Sequence, residues 1–178
     1  REIIDVEIKW TPIQFKGRKA HLVLANDVTK RRRSEFRSAT FSRLGQSLSC
    51  ASSVEAAARI IVDAADQLMG WDACSFKLYS PEEDRLSSIL EQDIINGERV
   101  DISSGDKNVE LSPTTRKIIE EGGQLILREA PIKLDKNFIA FGDMARPSAS
   151  ILSVPMRNGV KVTGVLSIHS YKHHAYDR

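Results

Sequence analysis

Two strand-length apolar segments near the carboxyl end constrain the fold most, because the turn between them fixes how they pair. Residues 150–156 and 160–171 flank the turn Arg157-Asn158-Gly159, in which Asn-Gly is a strong signal for a tight hairpin. Strands joined by so short a turn are antiparallel, since parallel neighbours need a crossover of a dozen or more residues. This end of the chain therefore predicts an antiparallel sheet.

The most regular helical pattern lies at residues 54–68, where apolar side chains recur every three or four positions. The run Ser52-Ser53-Val54-Glu55 predicts a capping box, in which a hydroxyl accepts a hydrogen bond from an early helical amide and the glutamate reaches back. Gly70 supplies the left-handed residue that ends such a helix. We also predict a pair between Arg59 and Asp63 on its outer face.

Further strands and one short helix lie between these two regions. Residues 73–80 and 86–92 are strand-like and flank a polar turn, which predicts a second hairpin. Ser112-Pro113 predicts the start of a short helix and Gly122-Gly123 its end, and residues 124–129 form another strand. This order predicts an α+β fold: a central antiparallel β-sheet with helices on one face and an irregular loop and short-helix cap on the other.

The first 28 residues predict a separate hairpin. Residues 5–15 alternate apolar Val6, Ile8 and Trp10 with polar side chains, and a turn leads to a second apolar stretch at residues 19–26. A lone hairpin is marginal in water. Its apolar face therefore has to lie against something else.

A narrow apolar seam follows, within a predicted helix at residues 32–48. Phe36, Thr40, Leu44 and Leu48 recur every four positions, a pattern better suited to a partner helix than to a broad core. We expect a homodimer through this helix. The preceding basic run is expected to be a solvated linker that binds no nucleic acid, because it lacks interleaved aromatics and the formal net charge is only +2.

Two parts of the chain resemble known families. Residues 17–31, with Asp27-Val28-Thr29 followed by basic residues and a helix, resemble the end of a PAS domain. The final hairpin resembles the last hairpin of a GAF domain, on the residues Ser150-Ile151-Leu152-Ser153-Val154-Pro155-Met156, Gly159 and Gly164-Val165-Leu166-Ser167-Ile168.

On these resemblances we divide the chain into three segments. Residues 1–29 would be the carboxyl-terminal hairpin of a PAS domain, residues 30–51 a linker or signalling helix, and residues 52–178 a GAF domain without its last helix.

The GAF resemblance implies a sensory or relay module of a bacterial signal-transduction protein, upstream of a histidine kinase, diguanylate cyclase or phosphatase. Such modules are often dimeric and lie in the cytoplasm. Lys136-Asn137-Phe138 does not reproduce the Asn-Lys-Phe-Asp-Glu signature of relatives that bind cyclic nucleotides, and neither Cys50 nor Cys74 lies in the crossover where relatives attach a bilin. The resemblance therefore leaves the cofactor unknown.

An unknown small molecule is the partner that the polar positions of the sheet predict. The candidate binding residues are Ser75, Lys77, Tyr79, Ser153 and Ser167, beneath Phe138, Phe141 and Met144 from the irregular stretch. A pocket that is mostly apolar with a few directional polar groups is typical of a ligand site. The alternative, that the three large side chains only fill the core, stays open.

Two other functions remain as alternatives, a purely structural dimerisation module and a free methionine sulfoxide reductase that uses Cys74. The reductase needs a reactive thiolate and a resolving cysteine, and Cys74, on a buried strand, has no evident partner. His169 and His173 would be about 13 Å apart on a strand, too far to share a metal ion. We therefore predict no catalytic residue and no metal site.

Targeting signals are also lacking in the pattern. No apolar run approaches the ~20 residues needed to cross a bilayer, and the first residues do not resemble a signal peptide. A cytoplasmic location is the resulting expectation.

Overall fold

A computed structural model describes residues 3–102, 108–129 and 146–176, and within these ranges the chain forms nine strands and three helices. The chain divides into two compact units, Arg1–Gln46 and Ser47–Arg178. The elements in chain order are β1 (Val6–Phe15), β2 (Arg18–Asp27), α1 (Thr29–Ser49), α2 (Val54–Met69), β3 (Ala73–Ser80), β4 (Arg85–Ile95), β5 (Glu98–Asp101), β6 (Asn108–Glu110), α3 (Pro113–Glu121), β7 (Gln124–Leu127), β8 (Ser150–Asn158) and β9 (Lys161–Ser170).

The first unit contains the antiparallel hairpin of β1 and β2 and most of α1. Asp27 starts the helix, because its carboxylate accepts hydrogen bonds from the backbone N–H of Thr29 at 2.9 Å and from the Thr29 hydroxyl at 2.6 Å. The same hydroxyl accepts a hydrogen bond from the backbone N–H of Asp5 at 2.8 Å, which ties the helix start to the residue before β1. Apolar side chains are exposed on both faces of the hairpin, such as Trp10 on one and Leu24 on the other.

The second unit is built on one sheet. In the described part of the chain, seven strands join it, in the order β5-β4-β3-β9-β8-β7 with β6 also paired to β4. Every pairing is antiparallel, so the predicted sheet is confirmed. The last hairpin turns at Gly159-Val160, one residue later than predicted, because Asn158 still pairs with Lys161.

Helix α2 packs on one face of this sheet. Its first turn is capped by the Ser53 hydroxyl, which accepts a hydrogen bond from the backbone N–H of Ala56 at 3.1 Å, and Gly70 ends it with a positive φ of 71°. The hydroxyl cap predicted from sequence is thus confirmed. The core beneath the helix contains Ala58, Val62, Trp71, Cys74, Phe76, Leu90, Ile168 and Tyr176.

The predicted pair on the outer face of α2 is wrong. Arg59 binds Asp101 at 2.6 Å and Asp63 binds Arg99 at 2.9 Å, so both partners come from β5. The β4–β5 hairpin brings opposite charges close beside the helix, and these fixed partners replace the looser pair one turn away.

The short helix α3 packs on the opposite face. Ser112 caps it by accepting a hydrogen bond from the backbone N–H of Thr115 at 3.1 Å, and buried Ile118 contacts Leu86 and Val165. A helix on one face and a short-helix cap on the other confirm the predicted α+β architecture. None of the helices in the described ranges is long and apolar enough to cross a membrane.

Replacing Gly164 by alanine is expected to destabilise the second unit. The added Cβ would meet the carbonyl oxygen of Lys77 and the terminal methyl of Met156, and the carbonyl belongs to a paired strand that cannot withdraw. We expect the free energy of unfolding, measured with urea, to fall by about 1–3 kcal/mol.

The matched control is Gly123→Ala, whose Cβ meets only the Cγ1 atom of Val154 within 3.4 Å, at 3.3 Å. The free energy of unfolding of this variant should fall by less than about 1 kcal/mol. Equal losses in the two variants would contradict the close approach at Gly164.

Candidate functional site

A row of polar side chains crosses the sheet on the face that lies away from α2. In the strand register Glu91 is opposite Ser75, Ser75 opposite Ser167, Ser167 opposite Ser153, and Ser153 opposite Gln124. Residues directly opposite each other on antiparallel strands share a face. Both chain neighbours of Ser75 belong to the core beneath α2, which places this polar row on the other face.

The centre of the polar row is buried and made of small side chains. Ser75 is 7% exposed and Ser153 is 6% exposed. The hydroxyl oxygens of Ser153 and Ser167 lie 2.7 Å apart in a hydrogen bond. Three adjacent serines leave little side-chain volume above the strands, and each hydroxyl can both donate and accept. The row can therefore offer both hydrogen-bond donors and hydrogen-bond acceptors to a polar group.

An ion pair lies at one end of the polar row. The Nζ atom of Lys77 is 2.8 Å from Oε1 of Glu91, and the two side chains are 21% and 2% exposed. The β3–β4 register shifts between Phe76 and Lys77, because Phe76 is opposite Leu90 whereas Lys77 is opposite Ser88. The two charges of the pair compensate each other where they are buried, as a buried charge requires.

A second buried carboxylate, Asp93, lies two residues farther along β4. Asp93 is fully buried, and the Tyr171 hydroxyl lies 2.7 Å and 2.8 Å from its two carboxylate oxygens. The guanidinium of Arg146 lies over the Tyr171 ring, 4.4 Å from its centroid, and donates to the carbonyl oxygen of Ile94 at 2.9 Å. The carboxylate is thus held by a hydroxyl whose ring is covered by a cation.

His169 is opposite Ala73 on the same face, with its Nδ1 atom 3.1 Å from the hydroxyl of Ser148. Burial lowers the pKa of His169 to about 4, and the nearby cations Arg128 and Lys77 contribute to this lowering. The imidazole is therefore neutral at pH 7, with one donor and one acceptor nitrogen. β9 thus places this side chain against Ser148 rather than in open solvent.

The histidines do not form a metal site in the described part of the chain. The Nδ1 atom of His173 is 2.6 Å from the carbonyl oxygen of Arg128, whereas the Nδ1 atom of His169 is 3.1 Å from the Ser148 hydroxyl. Among the residues that the structure describes, no group of three or more histidine, cysteine, aspartate or glutamate side chains could hold a metal ion.

Four of the residues proposed from sequence lie together on this face: Ser75, Lys77, Ser153 and Ser167. Tyr79 lies on the same face but near α3, and its hydroxyl donates to an exposed carboxylate, that of Asp84, at 2.9 Å. The other three proposed residues are outside the described ranges: Phe138, Phe141 and Met144.

Sequence reasoning missed Glu91, Asp93, Gln124 and Tyr171. Glu91 lies at the end of the predicted strand and Asp93 just beyond it, because the sequence predicts a strand that stops at Gln92, whereas β4 continues to Ile95. One signal was present, since carboxylates two residues apart share one face if the strand continues.

Neither of the two cysteines lies in the polar row. Cys74 is fully buried in the core beneath α2, and burial raises the pKa of its thiol to about 12. Its thiolate, the nucleophilic form, is therefore scarce at neutral pH. Cys50 is exposed and follows the end of α1.

Comparison with known proteins points to one family. The GAF domain family model matches residues 51–178. No curated protein shows significant sequence similarity to the chain.

Three solved structures share the fold. A GAF domain from a phosphoenolpyruvate-protein phosphotransferase of Coxiella burnetii is 15% identical over 80% of this chain and 83% of that chain, with a TM-score of 0.58. A methyl-accepting chemotaxis protein is 14% identical over 78% and 86%, with a TM-score of 0.55. Free methionine-R-sulfoxide reductase from Neisseria meningitidis, in complex with its substrate, is 17% identical over 79% and 74%, with a TM-score of 0.52.

Removing the hydroxyl of Tyr171 is expected to destabilise the second unit far more than removing that of Tyr79. Tyr171→Phe deprives the buried Asp93 carboxylate of this hydroxyl donor, and we expect a loss of about 1.5–3 kcal/mol in urea unfolding. Tyr79→Phe removes a bond to exposed Asp84 and should cost less than about 0.5 kcal/mol. A larger loss for Tyr79→Phe would contradict the assignment of Asp93 as a buried carboxylate.

Acid is expected to weaken the fold through His169. The folded-state pKa of about 4 lies below the ordinary value of 6.5, so between these pH values the unfolded chain binds more protons than the folded chain. This contribution to stability is present above pH 6.5 and is lost as the pH falls to 4, by up to about 3 kcal/mol. Urea unfolding of the His169→Asn variant should show a flatter pH dependence over this window. An unchanged slope would show that the imidazole is not responsible.

Proposed function

The chain belongs to the GAF domain family, and from this we propose that residues 52–178 form the ligand-binding sensory module of a bacterial signal-transduction protein. GAF domains are sensory and regulatory modules of signalling proteins. We further propose that the protein is cytoplasmic and that its output domain is a histidine kinase, diguanylate cyclase or phosphatase.

The observation that carries the proposal is the buried polar row on the face away from α2. A hydrophobic core gains nothing from three serines and a Lys77–Glu91 pair, because replacing a buried ion pair by apolar side chains is often neutral or stabilising. Polar groups that converge on one buried face are instead typical of a ligand site.

The segment from Ser170 to Tyr176 would carry the signal from the polar face to the core beneath α2. Tyr171 contacts Asp93 on the polar side, while its backbone N–H and the Ser170 hydroxyl donate to the Asp72 carboxylate at 2.8 Å and 2.7 Å. Five residues later, buried Tyr176 packs in the core beneath α2 and donates to the carbonyl oxygen of Gly70 at 3.1 Å. A ligand that favours one arrangement of this segment would shift the population of states at α2.

Catalysis is not part of the proposal. The fold similarity to the methionine sulfoxide reductase does not extend to a thiolate in this site, since Cys74 lies in the core beneath α2 with a raised pKa. Reductase activity is therefore the weaker alternative.

The first unit supports a second proposal, that the chain forms a homodimer through the helix at residues 32–48. Phe36 and Phe41 of α1 are 48% and 54% exposed, which is a large apolar area for an unpaired helix.

We further propose that residues 1–29 are the end of a PAS domain, in which Asp27 and Thr29 join the last strand to the helix. A module that only dimerises, with no ligand, is the alternative.

The ligand proposal is tested by thermal unfolding of the full chain against a panel of common metabolites. A compound that binds the folded state must raise the Tm. We expect a positive shift for at least one compound, reduced in a Ser153→Ala/Ser167→Ala variant.

Removing both partners of one hydrogen bond is nearly neutral for stability, so this variant should fold. The control is Ser80→Ala, which removes a hydroxyl that donates to the exposed Glu82 carboxylate at the end of β3. Absence of any shift would favour the purely dimerising module.

The dimer proposal is tested by light scattering at several concentrations. The wild-type chain should have the mass of a dimer, and the Phe36→Ser/Phe41→Ser variant that of a monomer, because the two exposed aromatic side chains of the helix are removed. A wild-type chain that is monomeric throughout the range would rule out this interface.

A further inference from the structure

We propose that two copies of this chain pair through α1 in opposite directions, with Phe41 of each copy packed against Gly45 of the other. This inference deepens the proposed homodimer and rests on it. Three features of α1 support it: a glycine that no contact within the chain explains, an exposed aromatic ring one turn away, and an arginine without an ion pair.

Gly45 lies inside α1 although the described part of the chain gives no reason for a glycine there. The helix continues for four residues beyond it to Ser49, and its φ is not in the left-handed region. Apart from the backbone of the helix itself, no atom of the described residues comes within 4 Å of the position that a Cβ would take. Glycine destabilises a helix interior relative to alanine. The open space at Gly45, which we call the hollow, is therefore better explained by a group from a second molecule.

Phe41 lies on the same face as the hollow, one turn before it. Its side chain is largely exposed, and so is Gly45. Thr40, by contrast, is fully buried within the single chain, and the face with Phe41 and Gly45 lies about 120° around the helix from it. The exposed face thus offers a large apolar side chain next to a space that such a side chain could fill.

The order of ring and hollow selects the direction of the second helix. In a twofold dimer, a contact between two different residues occurs twice, once in each sense. If the helices run in opposite directions about a centre at Arg43, Phe41 lies level with the partner's Gly45, and Gly45 with the partner's Phe41. If they run in the same direction, ring meets ring and hollow meets hollow, so the hollows stay empty. Only the antiparallel pair fills both hollows.

The charge on α1 favours the same direction. Arg37, one turn after Arg33, is exposed and forms no ion pair with the residues that the structure describes. In the antiparallel pair it lies beside the last turn of the partner's helix, which has no basic residue and carries the partial negative charge of a helix end. In a parallel pair it would lie level with the partner's Arg37, another cation.

The first experiment fills the hollow from its own helix. Gly45→Leu should fold at least as well as the wild-type chain, because leucine is the better helix former and the position is open. The dissociation constant of the dimer, measured by sedimentation equilibrium, should rise about ten-fold or more, because the added side chain overlaps the partner's ring. The matched control is Ala39→Leu, at an exposed position on the far side of α1, which should dimerise as the wild type does.

The second experiment exchanges ring and hollow. Phe41→Ala should weaken the dimer, because the ring that fills the partner's hollow is lost. Phe41→Ala/Gly45→Leu puts the large side chain at position 45 and the space at position 41, which face each other only in the antiparallel pair. The double variant should therefore dimerise at least about five-fold more tightly than either single variant.

The third experiment measures the direction on an otherwise wild-type interface. A spin label is attached to Ser34→Cys in a Cys50→Ser chain, and Cys74 stays unlabelled because it is fully buried with a raised thiol pKa. Ser34 lies nine residues before Arg43, so antiparallel helices separate the two labels by roughly 27 Å along the axis. In a parallel pair they would lie within about 15 Å, because packed helix axes are about 8–10 Å apart.

The outcomes separate this inference from the proposed homodimer. A wild-type chain that stays monomeric would overturn both. A dimer whose labels lie within about 15 Å would overturn the antiparallel direction and leave the homodimer. A dimer whose affinity is the same in Gly45→Leu, or is not recovered in the double variant, would overturn the contact between Phe41 and Gly45.

Discussion

The structure of the second unit depends on β3, the strand whose two faces carry opposite chemistry. Cys74 and Phe76 lie in the apolar core beneath α2, whereas Ser75 and Lys77 lie on the polar row and its ion pair. Because β3 is paired on both sides, by β4 and β9, its alternation sets the register of the neighbouring strands. A slip of one residue would exchange the two faces, so the same pairing that buries the core also assembles the candidate site.

Charge on the polar face is arranged so that each buried group has a partner. Glu91 has an ammonium and Asp93 a tyrosine hydroxyl, and burial keeps His169 neutral. Such groups add little to stability compared with apolar side chains of the same volume, and they stabilise the fold only while their partners remain. Their arrangement is better explained by recognition of a polar molecule than by the needs of the core.

Fold similarity alone does not select a function, because one scaffold hosts many activities. The same fold occurs in the GAF domain of a phosphoenolpyruvate-protein phosphotransferase, in a chemotaxis protein and in a reductase. The position of Cys74 beneath α2 keeps its thiol out of the polar row, and the segment from Tyr171 to Tyr176 connects the polar face with the core beneath α2. A site joined in this way to a helix core fits regulation through a shift between states.

Local patterns in the sequence determined the hairpins β1–β2, β3–β4 and β8–β9, the three helices and the hydroxyl caps of α2 and α3, because these depend on residues only a few positions apart. They also placed Ser75, Lys77, Ser153 and Ser167 on the polar side of their strands. The Tyr171–Asp93 contact spans 78 positions, and the partners of Arg59 and Asp63 come from a distant strand. Such contacts are decided only when the sheet closes, since a polar residue in the sequence carries no mark of the group it will meet.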